Sequence, residues 1–114
     1  MEIVRHEDIV KDLKNLRRFS APLESLEAWE RLFDLKGLIE TPGIDQYPGF
    51  GDRKIYKGRV IALRENFGKV KGYRVIFELV KKCEKLVCEI LVFSRHGIYR
   101  DENDLKKLIQ VRIR

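Results

Sequence analysis

The segment Leu86–Phe93 (LVCEILVF) is apolar almost throughout, and a chain that carries such a stretch has to cover it. It is far shorter than the roughly 20 residues of a membrane-spanning helix. Its β-branched and aromatic content reads as a central, buried strand. Just upstream, Tyr73–Val80 (YRVIFELV) has the same character, and Lys81–Lys85 between the two runs predicts a turn. Period-two alternation puts Tyr73, Val75, Phe77 and Leu79 on one face and Arg74, Ile76 and Glu78 on the other. A third strand is predicted where Tyr56, Val60 and Ala62 alternate with Ile55, Lys57, Arg59 and Ile61, with a turn over Gly68–Gly72. An antiparallel three-stranded meander follows.

The first forty residues follow a helical period instead. Ile9, Val10, Leu13 and Leu16 fall on one stripe, with Lys11, Asp12, Lys14 and Asn15 facing outward. Arg17 and Arg18 sit in the last turn, where cations complement the helix dipole. Ser20 is placed to cap a second helix that Pro22 opens and Gly37 ends. Its core stripe is Leu23, Leu26, Trp29, Leu32 and Phe33, extending toward Leu35. Ile3 and Val4 suit a short opening strand, and Glu40–Asp52, with two prolines and three glycines, reads as a loop. A final helix, capped at Asp101, carries Leu105, Leu108, Ile109 and Val111. The expected class is α+β: strand, two-helix hairpin, three-stranded meander and short C-terminal helix. The helices are expected on one sheet face, leaving the other open.

The 114 residues suit one domain, 1–114, with a single core. No long apolar run or leader opens the chain, so a cytoplasmic protein with no membrane association is expected. Cys83 and Cys88 are too few for a disulfide framework and are not spaced as a zinc pair; reduced thiols are expected, with a cross-hairpin disulfide as the alternative.

Charge is divided between the halves: residues 1–52 carry a net −4 and residues 53–114 a net +10. The excess is concentrated in Arg53–Arg74 (RKIYKGRVIALRENFGKVKGYR), where eight Lys/Arg meet a single acid, Glu65. Tyr56, Phe67 and Tyr73 and three glycines are interleaved with them. Crowded cations on a strand repel one another unless an anion lies over them. Cations interleaved with rings suit a nucleic-acid strand, through phosphate neutralisation and base stacking. A solvated basic hairpin is the plain alternative. Lys54, Tyr56, Arg64, Lys69 and Lys71 are the candidate RNA contacts, Tyr56 being equally suited to packing.

The run Gly68–Phe77 (GKVKGYRVIF), preceded by the basic strand Arg53–Leu63 and followed by Ser94–Leu105 (SRHGIYRDENDL), resembles the RelE/ParE toxin superfamily, in particular its HigB/RelE-like branch. The resemblance implies a RelE-like microbial-RNase-type fold and a toxin of a type II toxin–antitoxin pair. RelE-like members cut mRNA on the ribosome without a metal or other cofactor; ParE-like members inhibit DNA gyrase. Cleavage by the ribose 2′-OH requires a base, cations on the phosphorane and an acid for the departing oxygen. By resemblance Arg74 is the arginine of the G-Y-R strand that stabilises the transition-state phosphate. Lys57 and Arg59 stand in the basic strand before it, Lys57 being the pair's only candidate base. Arg95 follows the last strand, and Tyr99 stacks on the substrate or exchanges protons with it. His96, the side chain whose ordinary pKa lies nearest neutrality, is the candidate acid or base; His6 reads as a surface or capping residue.

The leading expectation is therefore an mRNA endonuclease neutralised by a cognate antitoxin covering the basic face. A non-catalytic ParE-like inhibitor of a protein target and a repurposed RNA-binding module are the alternatives. The whole reading expects positive side chains from separate strands, Lys57, Arg74 and Arg95, to converge on one exposed patch.

Overall fold

The computed structural model describes residues 1–64, 72–95 and 102–113. The chain runs β1 (Glu2–Arg5), α1 (Ile9–Asn15), α2 (Pro22–Glu40), β2 (Ile44–Gln46), β3 (Ile55–Val60), β4 (Tyr73–Lys82), β5 (Lys85–Arg95) and α3 (Glu102–Arg112). The three predicted strands pair antiparallel in the order β3–β4–β5. Two short strands extend these to a five-stranded mixed sheet in the order β1-β5-β4-β3-β2. β1 joins β5 in parallel, and β2, from the stretch read as loop, joins β3. The fold is α+β, with three helices and five strands among the described residues.

The sheet has a core on each face. On one, α1 and α2 lay Ile9, Leu16, Leu26, Trp29 and Phe33 against Tyr73, Val75, Phe77, Cys88, Ile90 and Phe93. Trp29 stacks on Phe33 with centroids 4.9 Å apart, and both rings lean on Phe77. Gly58 permits this: a Cβ there would stand 3.1 Å from Val75 Cγ1 and 3.3 Å from the Trp29 ring. On the opposite face Leu105 and Ile109 of α3 close over Ile55, Ile76, Leu91 and Val92. Helices therefore lie on both faces, because the α3-side residues of β4 and β5 are themselves apolar and need cover.

One irregularity governs β5. Ile76 pairs with Val92 but Phe77 pairs with Ile90, so Leu91 is an extra residue in the ladder. This bulge reverses the alternation beyond it: Cys88 and Ile90 face the helical hairpin, and so do Phe93 and Arg95 rather than Val92 and Ser94. The Leu91 carbonyl and Phe93 N–H lie beyond the residues that β1 pairs, Val87–Ile90. Side chains meet them instead. Arg112 donates to Leu91 O at 2.7 Å, and Asp12 accepts from Phe93 N at 2.8 Å.

Asp12 is thus buried, not outward-facing, while Val10 takes the exposed position on α1. On α3 likewise Arg112 is buried and Val111 exposed. Ser20 does not cap α2; its hydroxyl donates to Leu63 O at 2.8 Å, and left-handed Ala21 (φ 47°) occupies the cap position before Pro22. Gly37 breaks the helical dihedrals of α2, as its place in the pattern suggested, although a last turn resumes to Glu40. Leu35 lies exposed just before it. His6 lies half-buried just before α1, its Nδ1 accepting the Asp8 N–H at 3.0 Å. The thiols of Cys83 and Cys88 are free; the first is exposed in the β4–β5 turn, and burial pushes the second up to about 12. The Asp101 cap lies outside the described residues.

Candidate nucleic-acid interface

Lys57 and Arg59 alternate with buried Gly58 on β3, so both project to the α3 side of the sheet, where Ile55 joins the α3 core. Arg59 pairs directly with Arg74 across the β3–β4 ladder, and Lys57 pairs with Ile76 beside it. The Arg59 N–H goes to Gly43 O at 3.1 Å, on the side away from β4. Arg59 and Arg74 therefore face each other as a non-hydrogen-bonded pair, the kind that brings side chains closer. Like charges so placed destabilise a sheet by a fraction of a kcal/mol, about 0.2–1.

Acids border this trio. Glu102, at the start of α3, takes an ion pair from Arg74 at 3.4 Å and a hydrogen bond from the Tyr47 hydroxyl at 2.5 Å. That hydrogen bond, followed by the charges of Arg74 and Lys57, holds the Glu102 carboxyl below its ordinary value. Burial and the same hydrogen bond push the Tyr47 phenol well above its ordinary range. Asp45 of β2 is the cross-strand neighbour of Lys57. Tyr47, Asp45 and Glu102 carry no signal in the sequence, since only the packing of β2 and α3 brings them here.

The other candidates disperse. Arg95 pairs with Tyr73, not with Arg74, and lies on the helical-hairpin face. Its guanidinium stands over the Phe19 ring at 4.6 Å and the Tyr73 ring at 5.4 Å. The expected convergence of Lys57, Arg74 and Arg95 is therefore corrected: the bulge at Leu91 turns Arg95 to the far side. Tyr56 is half-buried under the hairpin, its ring stacked on Phe77 with centroids 5.6 Å apart, and so is a packing residue. Lys54 is exposed at the opposite end of β3 from Arg59. Arg64 is exposed just past Leu63, whose N–H donates to Ser25 Oγ of α2 at 3.0 Å. Arg53 serves the fold: it grips buried Glu78 through two bonds of 2.8 and 2.9 Å and donates to Ile113 O. Glu78 thus pairs with Arg53 and leaves Arg74 to Glu102. His96, Tyr99, Lys69 and Lys71 lie outside the described residues.

The glycine of the G-Y-R run has a packing role. A Cβ on Gly72 would overlap the Val60 carbonyl oxygen, so only glycine admits this approach of β3 to the start of β4. Among the described residues no three His, Cys, Asp or Glu side chains gather as a metal site, and no helix is long and apolar enough to cross a membrane. Compared with known proteins, the chain matches no family profile, no curated protein and no solved structure.

Proposed function

We propose that the α3-side trio Lys57, Arg59 and Arg74 grips the backbone of an RNA strand. We propose further, on the resemblance to RelE-like toxins and their RNase-type fold, that the chain is the toxin of a toxin–antitoxin pair that cuts translated mRNA. The observation that carries the first part is the opposed pair Arg59–Arg74. Two guanidiniums facing each other across a ladder cost stability, and a phosphate between them converts that repulsion into two charge-assisted contacts.

In the cutting reaction Lys57 takes the proton of the ribose 2′-OH, and O2′ attacks the adjacent phosphorus. Arg59 and Arg74 neutralise the phosphorane. The 5′-oxygen then leaves with a proton, giving a 2′,3′-cyclic phosphate and a 5′-hydroxyl. The proton donors that the resemblance offers, His96 and Tyr99, lie outside the described residues. Arg95, held on the hairpin face, takes no part in this grip. That displacement favours a second reading, an RNA-binding module that does not cut.

Primer extension on transcripts after brief expression tests the two. Cuts within translated codons that disappear in Arg74→Ala support the endonuclease. Intact transcripts without growth arrest leave the binding module, and intact transcripts with arrest point to a ParE-like protein target.

A further inference from the structure

At the end of the sheet away from Arg59 and Arg74, the β4–β5 hairpin outruns its neighbours. The β3 ladder stops at Glu78, with one further bond from Leu79 N to Lys54 O, and β1 pairs only from Val87 onward. Beyond them Lys81, Lys82, Cys83, Glu84, Lys85 and Leu86 are all exposed. Lys82 pairs directly with Lys85, so two like charges share the last rung before the turn, an arrangement that destabilises a sheet. The turn holds Cys83 at φ 51° and Glu84 at φ 66°, left-handed angles that side chains adopt at a cost. Both costs fall on the same four residues. Lysine on an uncovered strand edge wards off pairing with another chain, but that role does not require two lysines on one rung. The ion pairs of the described residues include none of Lys81, Lys82, Lys85 and Glu84, the tip's one acid.

Alternation along β4 puts Lys82 on the α3 side with Arg74. The two are eight residues apart on one strand, which at about 3.4 Å per residue is roughly 27 Å. α3 lies between them, over Ile76. A lysine ammonium is a point charge on a flexible stem, suited to phosphates that it need not meet in a fixed geometry. Val80–Val87 carries no aromatic residue, and unpaired nucleic acid is held by stacking its bases on rings. Double-helical RNA keeps its bases stacked within the helix and is recognised through phosphates, 2′-hydroxyls and shape. Lysines without rings match a paired stretch better than an unpaired one.

We infer that Lys81, Lys82 and Lys85 hold the phosphates of a double-helical stretch in the RNA whose unpaired strand enters the trio. The inference rests on the reading of the trio as an RNA grip. It adds a substrate class to that reading: a single strand continuous with paired RNA, not an isolated single strand.

Fluorescence anisotropy with two RNA probes tests this. One is an oligouridylate of about 4 nucleotides, which fills the trio alone; the other is a stem-loop of about 16 base pairs with a single-stranded tail. Thermal melts verify that each variant is folded. The Lys81→Gln/Lys82→Gln/Lys85→Gln variant should bind the stem-loop about tenfold more weakly and the short oligomer as tightly as wild type. On the stem-loop its slope of log affinity against log salt should fall by about 0.9 for each phosphate no longer neutralised. Lys11→Gln/Lys14→Gln/Lys36→Gln removes the same charge from exposed positions on α1 and α2 and should bind both probes like wild type. Equal weakening by the two triple variants would show that only net charge matters and would overturn the tip contact. If the tip variant binds the stem-loop like wild type while Arg74→Ala weakens both probes, the tip contact is wrong and the trio's grip stands. If Arg74→Ala changes neither probe, the reading of the trio falls, and the tip's share in it.

Discussion

Arg112 and Asp12, 100 positions apart, close a buried two-point ion pair at the margin of the sheet, with bonds of 2.7 and 2.9 Å. Their side chains are 6% and 4% exposed. α1 and α3 pack on opposite faces, so the pair clasps the layers around the edge of β5 where β1 has ended. Each partner also serves a backbone group of the bulged strand, Leu91 O and Phe93 N. The pair thus fills the place of the missing ladder.

Breaking the clasp from one side leaves a buried charge and a strand group without partners. Asp12→Ala or Arg112→Ala should each cost about 3–5 kcal/mol. Because each single variant already removes the shared interaction, the double variant should cost clearly less than the two combined. Urea unfolding of the four proteins measures this; strictly additive losses would show that the two residues act separately.

Arg59→Thr separates stability from binding. Removing one of two opposed guanidiniums and placing a good strand former there should raise stability by about 0.2–1 kcal/mol. The same change should weaken RNA binding and lower its salt slope by about 0.7. A variant that loses stability and keeps its affinity would count against the ligand reading of the trio.

Gly58 of β3 and Gly72 just before β4 should respond unequally to a methyl group. Gly58→Ala presses on Val75 and the Trp29 ring, side chains that can shift, and should cost about 1–3 kcal/mol. Gly72→Ala meets the Val60 carbonyl, a backbone atom, and should be the worse of the two. Thermal melts of both variants give the order directly.

The β4–β5 turn holds Cys83 at φ 51° and Glu84 at φ 66°, left-handed angles that suit neither residue. Two such central residues define the turn type that favours Asn-Gly. Cys83→Asn with Glu84→Gly should add about 1 kcal/mol or more. For a domain of this size that raises the melting temperature by roughly 4 °C per kcal/mol. An unchanged melting temperature would mean that the turn relaxes without cost.

Tyr47 and Glu102 set the pH limits of the α3 start. Glu102 is held below its ordinary 4.5, chiefly by the Tyr47 hydrogen bond, so its contribution is present above 4.5 and lost as pH falls through the folded value. Tyr47 is raised above its ordinary 10.0 by burial and by that bond, so its contribution is full below 10.0 and lost as pH rises toward the folded value. Tyr47→Phe should leave a flatter stability profile at both extremes than wild type, measured by urea midpoints near neutrality, at about pH 3.5 and at about pH 10.5. Parallel profiles would place the pH dependence in other groups.

Local periodicity in the chain is enough to determine the strands β3, β4 and β5, the two N-terminal helices with Trp29 and Phe33 on the buried stripe, and the common face of Lys57 and Arg59 on their strand. Each depends on spacings within one element or between adjacent strands, where side-chain direction follows the backbone repeat. The destination of Arg95 did not follow from spacing, because one extra residue at Leu91 reverses the alternation. That bulge is sustained by Asp12 and Arg112 from the two ends of the chain. The tertiary structure alone decided this, along with the cover of α3 on the second face and the meeting of Glu102 with Arg74: each rests on residues far apart in sequence coming together, which no local pattern records.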